Sequence, residues 1–143
     1  MPRVVLDVNV LVSSLINPRG SAGRIQGEWR RDEINVITSD IIIAKTEEVL
    51  RRAHIFSLFP PARAEARIQG LLKLLRDQAI RTPHTLDLRI AEEDPDDDNI
   101  LIAAVEGKAD CIISGDKHLR KLGTYQNIPI LSPADFIIQH KIP

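Results

Sequence analysis

Short runs of apolar residues alternate along the chain with longer stretches in which apolar residues recur every three or four positions. The short, β-branched runs predict strands. They span residues 3–6, 36–37, 110–114 and 130–131. The longer stretches have the spacing of helices that bury one face. This alternation predicts a parallel sheet covered by helices.

Turn and cap residues set the limits of the predicted helices. The first helix is expected to begin after Asp7 and to run through Leu15, and residues 17–20 are expected to form a turn. Ser21 is expected to cap a helix to about Arg31, and Ser39 or Asp40 opens the next. Another helix is expected to begin at Asp94-Pro95 and to end at Gly107. A short helix is expected after Asp116, and a final helix is expected to begin at Pro133.

Two predicted helices have a clear apolar face. The helix after Ser39 places one set of side chains on a single face: Ile42, Thr46, Val49, Leu50 and Ala53. The more amphipathic one follows the break at residues 60–61 and carries Ala64, Ile68, Leu71, Leu72, Leu75 and Ala79. That second face serves either the core or a dimer interface, and the pattern does not separate the two.

Composition and charge narrow the possible classes of protein. The chain has 143 residues with no repeat or linker, which predicts one domain over residues 1–143. A net charge of −1 gives no overall basic field. No apolar stretch approaches the roughly 20 residues that span a bilayer, and no signal core follows the start. We therefore expect a soluble, cytoplasmic protein whose single cysteine, Cys111, is a buried thiol.

Three carboxylates occupy positions where α/β folds build sites. Asp7 ends the first strand, Asp116 follows a later strand, and Asp98 lies in the first turn of a helix. Because the carboxyl ends of parallel strands share one edge of a sheet, these side chains can converge. Each also has a structural interpretation, since aspartates cap helices and complement the helix dipole.

A cluster of carboxylates is expected to need a cation. Packed acids repel one another, and Mg²⁺ or Mn²⁺ would neutralise them with the oxygen ligands those ions prefer. Other metal sites fit poorly: the alternating Asp94, Asp96 and Asp98 lack the glycine and final glutamate of a calcium loop. The four histidines are scattered, which excludes a spaced zinc site. An early acidic pair, as a phosphoacceptor domain requires, is also absent from the sequence.

Several segments resemble the motifs of PIN-domain proteins in order and spacing. They are residues 4–13, 98–104, 109–117 and 130–136, so the likeness covers nearly the whole chain. The chain looks most like the subgroup described as toxin components of toxin–antitoxin systems (VapC-like). The resemblance implies a three-layer α/β/α sandwich with a central, mostly parallel sheet.

The resemblance also implies a function and its residues. It implies an endoribonuclease that depends on Mg²⁺ or Mn²⁺ and acts on single-stranded RNA, with a homodimer and an antitoxin protein as further expectations. Asp7, Asp98 and Asp116 match the family's catalytic and metal-binding acids. Asn9 matches a polar residue that supports the first acid, and Ser114 the hydroxyl position before the last.

Two positions depart from that family. Lys45 stands where a glutamate is usual, and His118 where a further acid often lies. Glu48, three residues after Lys45, lies on nearly the same stripe of the helix and is a substitute metal ligand, or else a surface partner of Arg51 or Arg52. These departures support an alternative function, a weak or inactive module that binds RNA or a protein.

Lys45 itself has two interpretations. Its ammonium sits among the carboxylates and weakens metal binding, or its flexible stem reaches solvent or an RNA phosphate. Lys45, Arg52 and Lys117 are thus candidate phosphate contacts. Other candidates are Arg24, Arg30, Arg31, Arg51 and Lys121. Trp29 either stacks on a base or is buried in a core poor in aromatics.

Overall fold

A six-stranded sheet forms the centre of the molecule in the computed structural model, which describes residues 1–87 and 95–143. Its strands are β1 (Arg3–Leu6), β2 (Asn35–Ser39), β3 (Ile80–Thr82), β4 (Cys111–Ile113), β5 (Thr124–Tyr125) and β6 (Ile128–Leu131). The strand order is β3-β2-β1-β4-β6-β5. All pairs are parallel except β5 with β6, so the mostly parallel sheet expected from the sequence is confirmed.

Helices connect these strands, as parallel pairing requires. They are α1 (Val8–Ile16), α2 (Ser21–Arg30), α3 (Asp40–Leu50), α4 (Ala53–Phe56), α5 (Ala64–Gln78), α6 (Pro95–Glu106), α7 (Lys117–Arg120) and α8 (Pro133–Gln139). α6 packs against β1, β2 and β4, while α1 packs against α2, α3 and α5. This is the layered α/β/α arrangement that the sequence predicts. No helix in the part of the chain that the structure describes is long and apolar enough to span a membrane.

The core is aliphatic and includes the apolar face of α5. Five of the six residues predicted on that face are almost fully buried, namely Ala64, Ile68, Leu71, Leu72 and Leu75, and Leu74 is buried beside them. Ala79, the sixth, follows α5 directly and is partly buried against the core. Of the two uses that the sequence left open for this face, the core is therefore the one observed. Trp29 and Phe136 are the largest side chains buried within the core, and Cys111 is buried as predicted.

Three short elements were missed from the sequence. The helix α5 ends at Gln78, and β3 begins two residues later as an edge strand with Arg81 exposed. The other two are α4, where Ala53 is exposed rather than part of the α3 face, and β5, which forms a hairpin through Gln126 and Asn127. Such short segments lack the period that identifies an element.

Two predicted caps have different outcomes. Ser39 is the N-cap of α3, and its hydroxyl accepts from the Ile42 amide. Ser21 was wrong as a cap, because Gly20 holds that position and Ser21 is already helical. The predicted cap at Asp94 lies outside the described residues.

Candidate functional site

The carboxyl ends of β1 and β4 lie side by side at one edge of the sheet. Leu6 pairs with Ile113, and the backbone N–H of Asp7 donates to the Ile113 carbonyl across 3.0 Å. The two residues that directly follow these strands are therefore neighbours in space. This brings Asp7 beside Ser114, which also precedes Asp116 by two residues.

Asp7 is buried, and its two carboxylate oxygens accept different hydrogen bonds. Oδ1 accepts from the backbone N–H of Val8 at 2.7 Å, which caps α1. Oδ2 accepts from the hydroxyl of Ser114 at 2.6 Å. The helix-cap interpretation of Asp7 is thus confirmed, and the same side chain also faces the site.

Ser114 links the two aspartates. Its hydroxyl is fully buried, donates to Asp7, and accepts the backbone N–H of Asp116 at 3.0 Å. Asn9 supports the same turn, because its Oδ1 accepts from the Gly115 backbone N–H at 3.4 Å. The carboxylate of Asp116 accepts the backbone N–H of His118 at 2.8 Å and caps α7. Ser114 therefore contacts both aspartates, whereas Asn9 contacts the Gly115 backbone next to Asp116; their supporting roles stay predictions.

A cavity of about 250 Å³ opens over this turn. Its lining combines acidic, basic and apolar side chains, namely Asp7, Val8, Asn9, Lys45, Val49, Arg52, Asp96, Asp97 and Asp116. Five of the residues singled out in the sequence are thereby brought together: Asp7, Asn9, Lys45, Arg52 and Asp116. The convergence of distant acids at one sheet edge is what the strand-end positions indicate.

The first turn of α6 supplies the other two acids among the described residues that line the cavity. Asp96 and Asp97 line it, whereas Asp98, the position chosen from the resemblance, is buried in the same turn and is not among the lining residues. Asp98 remains a prediction as a metal ligand. The run of three aspartates in the sequence marks this turn as acidic. The sequence does not show which of the three side chains the rotation of the helix directs into the cavity.

Lys45 reaches the cavity from α3. Its ammonium lies 3.5 Å from Oδ2 of Asp96 and 3.5 Å from Oε1 of Glu48. With a side chain that is 29% exposed, it is the less exposed member of both pairs. Of the two interpretations offered by the sequence, a place among the carboxylates matches these contacts.

Glu48 forms a surface pair rather than part of the cavity lining. Its Oε1 lies 3.1 Å from Nη2 of Arg52, and its side chain is largely exposed. The hydrogen bond from Arg52 and the charge of Lys45 hold the pKa of the Glu48 carboxyl below its usual value. The partnership with Arg52 is therefore observed, while the role of Glu48 as a metal ligand stays a prediction.

The donor set matches a hard divalent ion in its chemistry. Among the described residues, four carboxylates line one cavity, and such oxygens are what Mg²⁺ and Mn²⁺ take. Within residues 1–87 and 95–143, however, no three Asp, Glu, His or Cys side chains are gathered closely enough to hold a metal ion as they stand. The residue types suit such an ion, but the described side chains do not converge on one point in the structure.

Most of the other candidate phosphate contacts have partners elsewhere. Arg24 binds the carbonyls of Ile142 and Pro143, and the remaining pairs are Arg30 with Gln26, Arg31 with Glu28, and Arg51 with Glu47 and Glu65. Lys117 and Lys121 are exposed at the two ends of α7. Trp29 is 1% exposed, so its ring is not available to stack on a base.

Comparison with known proteins agrees with this fold. A family model described as PIN domain matches residues 3–118, a range that includes every described residue of the cavity lining. An uncharacterized protein of Methanocaldococcus jannaschii is 30% identical over 125 residues, covering 84% of this chain and 74% of that protein. PIN domains are generally nucleases and typically depend on divalent metal ions, so the match indicates a nuclease-type function.

Proposed function

Because the chain belongs to the PIN-domain family, we propose that it is a metal-dependent endoribonuclease that hydrolyses phosphodiester bonds in single-stranded RNA. One observation carries the proposal. Asp7 and Asp116, remote in sequence, are joined through Ser114 and face a single cavity with the acidic first turn of α6. A cavity with this many carboxylates and two cations suits a metal ion and a phosphate better than an apolar ligand.

Asp7, Asp116 and the first turn of α6 would hold Mg²⁺ or Mn²⁺. We include Asp96 and Asp97 from the cavity lining, and Asp98 and Glu48 from the sequence prediction. When bound, such an ion would supply positive charge to the phosphate and would lower the pKa of a water molecule, so that the water can lose a proton and act as the nucleophile. The chain's own contribution is to fix Asp7 between the α1 cap and Ser114, so that its carboxylate does not need to be ordered on binding.

Lys45 and Arg52 form the basic wall of the cavity and would contact RNA phosphates. Arg52 presents a planar guanidinium suited to a phosphate, and Lys45 a compact charge on a flexible stem. Lys117 follows Asp116 directly, is exposed outside the cavity lining, and would add a further phosphate contact. Because these contacts are to the backbone of the nucleic acid, they position RNA without selecting a base sequence.

The test is cleavage of unstructured RNA by the full chain with Mn²⁺, with and without EDTA. The variants are Asp7→Asn and Asp116→Asn, and the control is Asp135→Asn on the exposed start of α8. Asparagine caps a helix about as well as aspartate, so both site variants should keep their helix caps while losing the charge. We expect the two site variants to lose at least about 100-fold in rate, a few kcal/mol of transition-state stabilisation.

Cleavage that needs Mn²⁺ and disappears in both site variants supports the proposal. Cleavage that survives both substitutions would come from a contaminating nuclease and count against it. No cleavage by a folded protein over a wide range of RNAs would overturn it.

A second candidate function is a module of the same fold that binds RNA or a protein without cutting. The observation in its favour is the Lys45 ammonium, which lies 3.5 Å from one of the cavity carboxylates. This candidate predicts RNA binding in EDTA that is as strong as in Mn²⁺, with no product in either. Fluorescence anisotropy beside the cleavage assay distinguishes the two functions.

We further propose a role as the toxin of a toxin–antitoxin pair, which rests on the resemblance of the sequence motifs. The role requires an antitoxin protein that silences the activity. A short neighbouring reading frame that encodes a DNA-binding protein, and relief of growth arrest when both are expressed, would support it. Harmless expression of an active enzyme alone would contradict it.

A homodimer is the last part of the proposal. Since the apolar face of α5 is used by the core, a dimer would have to use other apolar residues such as Leu58 or Ile138, which are 58% and 72% exposed. Light scattering after size exclusion separates a monomer of 16.0 kDa from a dimer. A monomer at micromolar concentration would rule out a stable dimer.

A further inference from the structure

Residues 117–121, which form α7 and the residue after it, carry two lysines, an arginine and a histidine but no acid. Leu119 is the buried member of this segment and anchors it to the core. The other side chains are exposed, apart from the half-buried arginine, and together they form the α7 surface: Lys117, His118, Arg120 and Lys121.

The cations of the α7 surface have no acidic partner among the described residues. None of the ion pairs within residues 1–87 and 95–143 includes a residue of this surface. The closest acid along the chain is Asp116, whose carboxylate accepts the His118 backbone N–H at 2.8 Å and lines the cavity. Lys117 and Lys121 lie one helical turn apart, and like charges at that spacing repel. A bound polyanion would relieve this repulsion.

The cations that α3 and the start of α4 present to the cavity differ in this respect. Lys45 lies 3.5 Å from Asp96, and Arg52 lies 3.1 Å from Glu48, so each contacts an acid. The α7 surface is joined to the cavity through the backbone, because Asp116 lines the cavity and Lys117 is the next residue. A strand with one phosphate in the cavity can therefore reach the α7 surface with the phosphates that follow.

We propose that an RNA strand leaves the cavity along the α7 surface, where Lys117 and Lys121 contact two of its phosphates. The inference rests on the proposed ribonuclease function and deepens it, since it names the surface that holds RNA beyond the cut. The two lysines lie about 6 Å apart along the helix axis, which lets each contact a different phosphate. Arg120 is turned back toward the loop, with Nη2 donating to the Gly115 carbonyl at 3.4 Å, so the lysines extend outward instead.

The first experiment measures RNA binding by the full chain in EDTA with fluorescence anisotropy. The variant carries Lys117→Gln and Lys121→Gln together. The matched control carries Lys73→Gln and Arg76→Gln, which removes two exposed charges of α5 outside the cavity lining. We expect the α7 variant to bind RNA roughly tenfold more weakly at low salt, and its slope of log affinity against log salt to fall by about 1.4, for two phosphates of a single strand. The control should match the wild type in both.

The length of the RNA gives a result that a general loss of structure would not produce. The wild type should bind an unstructured RNA of about 16 nucleotides more tightly than one of about 4, because the longer strand also reaches the α7 surface. The α7 variant should lose most of that gain. Its melting temperature should be no lower than that of the control, since the substitutions remove repelling charges.

A second experiment locates the strand directly. A photoreactive label attached to Lys121→Cys should crosslink to RNA in EDTA, whereas the same label at Lys73→Cys should not. The buried Cys111 does not compete for the label. In a cleaving enzyme, the crosslinked nucleotide should always lie on the same side of the cut.

The outcomes separate this inference from the proposed function. Equal RNA binding by the α7 variant and the control, or equal crosslinking from positions 121 and 73, would overturn the inference while RNA cleavage persists. Binding of polyglutamate as tightly as RNA would indicate an acidic protein as the partner and would also overturn it. The expected losses of RNA binding without cleavage by the wild type would instead overturn the ribonuclease and leave the RNA-binding surface standing.

Discussion

The hydroxyl of Ser114 donates to Oδ2 of Asp7 across 2.6 Å, in a position with no exposure to solvent. The same oxygen accepts the backbone N–H of Asp116. One small side chain at the end of β4 thus fixes the carboxylate that follows β1 and the loop that carries the next acid. A hydroxyl is suited to this position because it donates and accepts at once.

Replacement of Ser114 by alanine should therefore weaken both the fold and the site. A hydrogen bond to a charged group contributes about 1.5–3 kcal/mol, and the alanine variant loses that donor from a buried carboxylate. We expect a decrease of that size in the free energy of unfolding, measured with urea. Mn²⁺ affinity should decrease as well, since Asp7 loses its orientation.

The control for this variant is Ser13→Ala, at an exposed serine of α1. Its free energy of unfolding should stay within about 0.5 kcal/mol of the wild type. Equal stability of the Ser114 and Ser13 variants would contradict the proposed link.

A matched pair of substitutions in α6 tests which acid faces the ion. Asp97 and Asp98 are adjacent and both buried, but only Asp97 is among the residues that line the cavity. We expect Asp97→Asn to weaken Mn²⁺ binding by roughly tenfold or more, and Asp98→Asn to do so less. Isothermal titration calorimetry gives both values. A larger loss at Asp98 would favour the alignment of the sequence motifs over the cavity lining.

That pair also shows where sequence reasoning ends. Asp7 and Asp116 could be placed from the sequence alone, because strand ends in a parallel sheet share one edge and each strand is marked by a β-branched run. The first turn of α6 could not be oriented in this way. Neighbouring residues of a helix point about 100° apart, so the choice among three consecutive aspartates depends on the rotation of the packed helix.

The short elements could not be predicted from the sequence for a different reason. Ile80–Thr82 becomes a strand because it lies along β2, a tertiary contact that three residues do not reveal. The contact between Lys45 and Asp96 could not be predicted from the sequence either. The distance of Lys45 from the acids of α6 follows from the packing of α3 against α6, whereas its pairing with Glu48 follows from spacing along one helix.

Arg52 provides a test of the basic wall. Arg52→Gln should weaken RNA binding by a similar factor for different sequences and lower the slope of log affinity against log salt by about 1. Fluorescence anisotropy in EDTA over a range of salt concentrations measures both effects. Arg76→Gln, at an exposed arginine of α5 outside the cavity lining, should change neither.

The ion pair of Arg51 with Glu65 should make stability depend on pH in the acid range. Arg51 is the C-cap of α3 and contacts both carboxylate oxygens of Glu65 on α5, at 2.8 and 2.9 Å. Hydrogen bonds from Arg51, and then from Gln69, lower the pKa of Glu65 to about 2. The unfolded chain should titrate near the ordinary value of about 4.3.

Because the folded pKa is the lower one, the unfolded state binds the proton more readily. The stabilisation by Glu65 is then complete above about pH 4.3 and is lost as the pH falls toward about 2. Glu65→Gln should lower the melting temperature by at most a few degrees at pH 7, since the pair is exposed. The difference between the variant and the wild type should shrink as the pH falls below 4. A difference that stays constant down to pH 2 would contradict the assignment, and Glu33→Gln serves as the exposed control.

Cys111 should be unreactive while the protein is folded. It lies in β4 at the centre of the sheet, and burial, with a smaller effect from the charge of Asp110, raises the pKa of its thiol to about 12. Since the thiolate is the reactive form, the folded protein should show no reaction with a disulfide reagent at pH 8 over minutes. One thiol per chain should react at once in strong urea, which provides the internal control. Reaction of the folded protein at a rate close to that of the unfolded chain would show that β4 opens far more readily than a central strand should.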